Sequence, residues 1–253
     1  MTNVIKGEFA KLFTTKLWLW LLLGGIGLTA LFMSFTIGFD GSAGNNQPRL
    51  STPEGQRNLF SVAGVAGIFG LILGAIGVTG EFRHQTVTPT FLGTPHRGRV
   101  VVAKLVAYGL AGIGYGITTA IVAIAIALTW LSAKNIDVSL GSNGIPGTLL
   151  GVIVGVAVYS LLGVGLGALI RNQIATIVGA LVYLFVIEGF LQAIPKVKDY
   201  YKYFPGGANT ALTNQTQPGL TLLQPYQGGL LLVAYGVVFA ILGYWLAMRR
   251  DVT

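Results

Sequence analysis

Long apolar runs alternate with short charged stretches along this chain. Residues 17–39 follow Lys16 and hold no charge until Asp40. Residues 58–80 lie uncharged between Arg57 and Glu81, 105–133 between Lys104 and Lys134, and 138–170 between Asp137 and Arg171. Residues 172–195 carry one charge, Glu188. Residues 203–248 carry none, but Pro, Gly, Asn, Gln and Thr crowd 205–227, so only about 228–248 has the apolar continuity of a span. A helix crosses the hydrocarbon layer with about 20 predominantly apolar residues. The pattern therefore predicts six transmembrane helices, roughly 17–38, 59–80, 105–131, 148–170, 173–194 and 228–248.

The segments between them are not all plain loops. In 3–16, Ile5, Phe9, Leu12 and Phe13 fall on one face of a helical wheel, with Asn3, Glu8 and Lys11 away from it. That predicts an amphipathic helix lying in the membrane interface, separated from the first span by Lys16. The first apolar run, about 22 residues, exceeds the 7–15 of a cleavable signal and is read as a retained span. Residues 40–57 form a polar loop. Residues 195–227 begin with an aromatic cluster, Tyr200, Tyr201, Tyr203 and Phe204, and are too apolar for a loop yet too broken for a span. A short re-entrant hairpin fits, its backbone shielded by protein. Glycines recur four apart at Gly70/Gly74, Gly112/Gly116, Gly151/Gly155 and Gly163/Gly167, the spacing that lets membrane helices approach closely.

Composition fixes the class. Of 253 residues 53% are hydrophobic, a further 37 are glycine, and 9% are charged, against about 25% charged in soluble domains. Too few polar residues exist to cover a water-soluble fold. The expectation is an all-α integral membrane protein, one domain over 1–253. The formal charge of +8 belongs to loops facing the cytoplasm rather than to nucleic-acid binding. With the N-terminus inside, the inner set is Lys6, Lys11, Lys16, Arg83, Arg97, Arg99, Lys104, Arg171, Arg249 and Arg250; the outer set is Arg49, Arg57, Lys134, Lys196, Lys198 and Lys202. The larger basic set inside places both termini in the cytoplasm.

Catalytic chemistry is sparse. No cysteine occurs and only two histidines, His84 and His96, which removes thiol chemistry and a histidine-rich metal site. No G-x-x-x-x-G-K-[ST] is present, so the chain has no P-loop to cradle ATP; no H-E-x-x-H and no paired carboxylates appear in sequence. Glu188 is the one ionisable residue well inside a predicted span. Such residues are costly and often functional, which makes it a candidate for the transport path; the plainer alternative is a carboxylate that accepts hydrogen bonds from neighbouring helices. The richest stretch follows the second span. Over 81–99, Glu81, Arg83, His84, Arg97 and Arg99 supply charge, Pro95 turns the chain, and Phe91 and Leu92 are apolar in an otherwise polar loop. An apolar anchor ringed by charges is the composition of a docking element.

That stretch carries a family resemblance. An acidic residue after the second span, then Thr, Pro, Arg and Lys, matches here as Glu81, Thr86, Pro95, Arg97 and Lys104. The whole run from Glu81 to Lys104 resembles an actinobacterial branch of the permease subunits of ABC-2 type ABC transporters, with Gln85 where the family usually has Gly. The resemblance extends over the chain, through the interfacial helix, six spans and the re-entrant segment. It implies a permease that dimerises with a second copy or a sister, through the first and fifth spans, in a prokaryotic plasma (inner) membrane. It implies two separate ATP-binding subunits docked on the loop, with ATP and Mg held by those subunits and no cofactor on this chain, and export of a substrate between the permeases. The rival readings are a secondary transporter, expected to place several ionisable or helix-breaking residues near the midplane in two matching halves, and a non-transporting structural subunit of a membrane complex.

Overall fold

A computed structural model describes residues 2–42, 47–85 and 97–249 of the chain. Among these the secondary structure is helical, with no strand. Six helices are long and apolar enough to cross a membrane: Leu17–Gly38, Pro53–Arg83, Gly98–Ala133, Ile145–Ile170, Gln173–Ala193 and Pro225–Gly243. The protein is thus an all-α, multi-pass membrane protein. Antiparallel order gives the bundle two ends: a proximal end bearing the N-terminal helix Thr2–Thr14, and a distal end bearing a short helix, Pro205–Leu212.

The fourth span is the axis of the bundle. It packs most extensively against the second, third and sixth spans, and 67% of its most apolar stretch is buried, against 17% in the fifth span and 22% in the first. The four glycine pairs explain this centrality. A Cβ on Gly74 would lie 2.1 Å from the Ser160 carbonyl oxygen, and one on Gly163 2.0 Å from that of Leu71. Gly112 and Gly116 stand against the backbone of Ala157 and Ile153 in the same way. Gly151 meets the carbonyl of Leu212, and Gly155 the side-chain oxygen of Asn209. Every pair brings the fourth span against a neighbour, and missing side chains are what let the backbones touch.

Two helices begin earlier than the charge pattern predicts. The second starts at Pro53 rather than near 59: Pro53 takes the first turn, where its missing N–H costs nothing, and the Thr52 hydroxyl caps it by accepting from the Gly55 N–H at 3.1 Å. The residues expected to finish a polar loop are thus helical, and Gln56 and Asn58 are buried. Gln56 donates to the Asp137 carbonyl (2.9 Å) and accepts from Asn143 (3.1 Å), and Arg57 reaches the Asn143 carbonyl (3.0 Å). This turn fastens the distal loops to one another. The third helix starts at Arg97, so Arg97 and Arg99, expected in a loop, stand on its first turns.

The segment 195–227 folds back on the bundle rather than looping freely. A 3-10 turn, Lys198–Tyr203, leads into the helix Pro205–Leu212, which packs on the sixth and fourth spans with Ala208 and Ala211 buried. The fifth span is interrupted by a π turn at Tyr183–Ile187.

Candidate functional site

The N-terminal helix is amphipathic, as its pattern predicts, and it breaks before the first span at Thr15 and Lys16. The wheel is corrected at one residue: Glu8, assigned away from the apolar face, is 2% exposed, while Phe13 of the apolar face is 55% exposed on the outside of the bundle. Phe13 stacks on Phe9 (6.1 Å) and meets Trp18 edge-on (5.1 Å), forming an outward aromatic ridge. Glu8 turns inward because a cation is waiting for it. The Lys104 ammonium donates to Glu8 Oε2 at 2.7 Å, to Glu81 Oε1 at 2.8 Å and to the Gly77 carbonyl at 3.1 Å. Lys11 completes the cluster, 2.9 Å from Glu8 and 2.7 Å from Glu81.

Two carboxylates and two ammonium groups therefore share one site, formally neutral, at the proximal end. Lys104 is 5% exposed, while Lys11 stands at the rim. Partial burial of Lys11 works against its charge, but the hydrogen bonds and attraction from Glu8 and Glu81 outweigh it, and its pKa lies above the usual 10.5. Glycine makes the room: a Cβ at Gly77 would sit 2.0 Å from the Tyr108 ring, so the second and third helices close up beside the cluster. The result is mechanical. The N-terminal helix, the end of the second span and the start of the third are pinned by one set of ion pairs, and both ends of the chain's 84–96 connection are rooted in it.

The candidate residues of 81–99 divide accordingly. The Glu81 carboxylate is engaged in the cluster. Arg83, exposed on the last turn of its helix, reaches the Gln173 side chain at 3.4 Å, which ties the base of the second span to the base of the fifth. His84 is exposed and ends the helix, its N–H donating to the Gly80 carbonyl at 2.9 Å. Gln85 then takes φ +55°. A left-handed residue after a helix end is the usual place for glycine. Arg99 is exposed on the third helix. Phe91, Leu92 and Pro95 lie outside the described residues, and Arg97 is described only as a helical position.

Glu188 is the second buried carboxylate, 2% exposed. The Gly206 N–H donates to its Oε1 at 3.0 Å. Among the described residues no lysine, arginine or histidine pairs with it. Gly206 lies in the first turn of the helix Pro205–Leu212, whose own preceding residue, Phe204, offers no side-chain cap. Glu188 serves as that cap from another helix, and its charge suits the positive end of the helix dipole. The alternative of a carboxylate that accepts hydrogen bonds from neighbouring helices is the one the geometry favours. Gly206 lets the carboxylate approach this closely: a Cβ would fall 1.9 Å from Glu188 Oε2 and push it aside. Glu188→Gln keeps an acceptor in place and is expected to leave thermal stability in detergent nearly unchanged. Glu188→Leu leaves the part-buried Gly206 N–H without its acceptor and is expected to cost about 1–3 kcal/mol. Equal destabilisation by both variants would show that charge, not hydrogen bonding, is what the site needs.

Sequence reading missed two features of these sites. The Glu8–Lys104 pair joins residues 96 apart, beyond the reach of any local pattern. The capping role of Glu188 depends on the fold of 195–227; the Phe-Pro-Gly-Gly run at 204–207, a turn followed by a helix start, was the available signal.

Among the described residues no group of three His, Asp or Glu side chains is placed to hold a metal ion. No protein-family model matches the chain, and no curated protein matches it.

Proposed function

We propose that this chain is the membrane-spanning subunit of an ATP-driven exporter of the ABC-2 kind. It works as a pair with a second copy or a sister chain, in a prokaryotic plasma membrane, with both termini and the 81–99 segment on the cytoplasmic side. Two separate ATP-binding subunits dock on that segment and hold the ATP and Mg; this chain binds no cofactor and hydrolyses nothing itself. The observation that carries the reading is the cluster of Glu8, Lys11, Glu81 and Lys104. A docking loop transmits force only if its roots are stiff, and here both roots and the interfacial helix are clamped as one body. A push on the loop would move the second and third spans together. The first, fifth and sixth spans are all sparsely packed, and it is the apolar faces of the first and fifth that the resemblance assigns to a second permease. A secondary transporter finds less support, because Glu188 is occupied as a helix cap.

The test is affinity purification of the tagged full chain from its native membranes. An ATPase should co-purify, and the isolated chain should turn over no ATP. Phe91→Ala combined with Leu92→Ala should release the ATPase while the chain stays folded, since a buried central anchor truncated to alanine costs about 2 kcal/mol or more. Retention of the ATPase by that variant would leave the segment a mere connector; absence of any ATPase from the native complex would end the exporter reading.

A further inference from the structure

A pocket of about 470 Å³ lies in the distal half of the bundle, between the first, second and fifth spans and the turn that follows the helix Pro205–Leu212. Its outer wall is aromatic: Phe32 and Phe35 from the first span, Phe185 from the fifth. None of its lining residues is charged. Three of its four hydroxyl groups are spent locally. Thr36 donates to the Phe32 carbonyl, Ser61 to that of Asn58 and Thr213 to that of Asn209, at 2.9, 2.7 and 2.9 Å. The side-chain amides of Asn209 and Gln215 are different: both line the pocket, and among the described residues neither makes a side-chain hydrogen bond. Both residues are half-buried, and they are held firmly in place. Asn58 grips the next residue, Thr216, with two hydrogen bonds, 3.0 Å to its carbonyl and 2.8 Å from its N–H. Gly155 leaves the space into which the Asn209 oxygen fits.

Each amide offers two N–H donors and a carbonyl acceptor. A matching partner must donate and accept at once. It must also be uncharged, because an ion entering this lining would lose its water without meeting a counter-charge. The three phenylalanines supply a surface for an aliphatic part. We propose that this pocket binds an uncharged amphiphile, a lipid-like molecule with a hydroxylated head that engages Asn209 and Gln215 and a hydrocarbon chain laid along Phe32, Phe35 and Phe185. This names the substrate class for the exporter proposed above and rests on that reading for the word substrate, although binding itself does not depend on it.

The native chain has no cysteine, so Val65→Cys, in the lining, gives a single reporter thiol. The full chain in lipid nanodiscs would be titrated with dodecyl maltoside, dodecyltrimethylammonium or dodecyl sulfate, and the rate of thiol modification by methyl methanethiosulfonate followed. The neutral glycoside should slow modification several-fold, and the two ions should not. Asn209→Leu with Gln215→Leu should abolish the protection, and Asn209→Asp should transfer it to the quaternary ammonium. Equal slowing by all three probes, stronger slowing by an ion, no slowing at all, or protection that survives the double leucine variant would each overturn the proposal. An ATPase that co-purifies while the glycoside fails to protect would sink the ligand class and leave the exporter reading standing; selective protection without any ATPase would do the reverse.

Discussion

Lys104→Met is expected to be the most damaging single change among the charged residues. The side chains are of similar length, so the loss is electrical. Glu8 and Glu81 would be left close together at the proximal end, with only the half-exposed Lys11 between them. Removing one partner from a buried ion pair costs about 3–5 kcal/mol, mostly because the other charge stays behind unpaired. The melting temperature of the purified chain should fall accordingly, and the N-terminal helix should become accessible to protease. Adding Glu8→Gln to Lys104→Met removes one stranded charge, and a partial recovery of stability is the expected result. Loss of stability in Lys104→Met with no recovery in the double variant would mean that Glu8 is not the principal victim. Glu8→Gln alone should be milder, since the glutamine oxygen still accepts from Lys104.

Gly163→Ala should have a comparable effect by a steric route. One methyl group at this position falls 2.0 Å from the Leu71 carbonyl oxygen and 2.9 Å from the Ala75 nitrogen, both backbone atoms that no rotamer change can move aside. The second and fourth spans must separate, and overpacking of this kind costs about 1–3 kcal/mol. Gly163→Leu should prevent assembly of a monodisperse protein. The comparison is Gly114→Ala, on the third span, where an added Cβ meets nothing within 4 Å; it should be neutral or slightly stabilising, because alanine is the better helix former. Thermal unfolding followed by circular dichroism separates the cases. If Gly163→Ala and Gly114→Ala melt alike, the glycine pairs do not set the spacing of the helices.

Much of this architecture was legible in the chain because two signals are strong in a membrane: length of apolar run, and glycine at four-residue intervals. Both report on neighbours a helical turn or two away. The six spans and the close-packed faces followed from them. Reading charge as the border of a helix failed at Pro53 and Arg97, where polar residues continue the helix past the apolar run; the Thr52 cap and the proline after it mark the true start. The same habit turned Glu8 outward. A helical wheel ranks residues by their affinity for water, and it has no access to a lysine 96 positions later that reverses the ranking. Glu188 was visible as an anomaly, but its role needed the fold of 195–227. Among the residues singled out after the second span, the structure separates one with an internal post, Glu81, from Arg83, His84 and Arg99, which stand at the surface.

The π turn at Tyr183–Ile187 sets the phase of everything beyond it. A turn of this kind accommodates about one residue more than an α turn, which displaces the following side chains by about 100° around the helix axis. Before it, Ile174, Val178 and Val182 face outward; after it, Phe190 and Ile194 do, while Glu188 is buried. The fifth span thus behaves as two short helices joined out of step, the first half keyed to the second and fourth spans and the second half keyed to the Gly206 N–H. Deleting a single residue from the turn would give a straighter helix of almost the same composition and hydropathy, yet it would rotate residue 188 off the cap it makes. What the membrane demands of this segment is apolar length; what the hairpin demands is angular register, and the five residues of the turn reconcile the two.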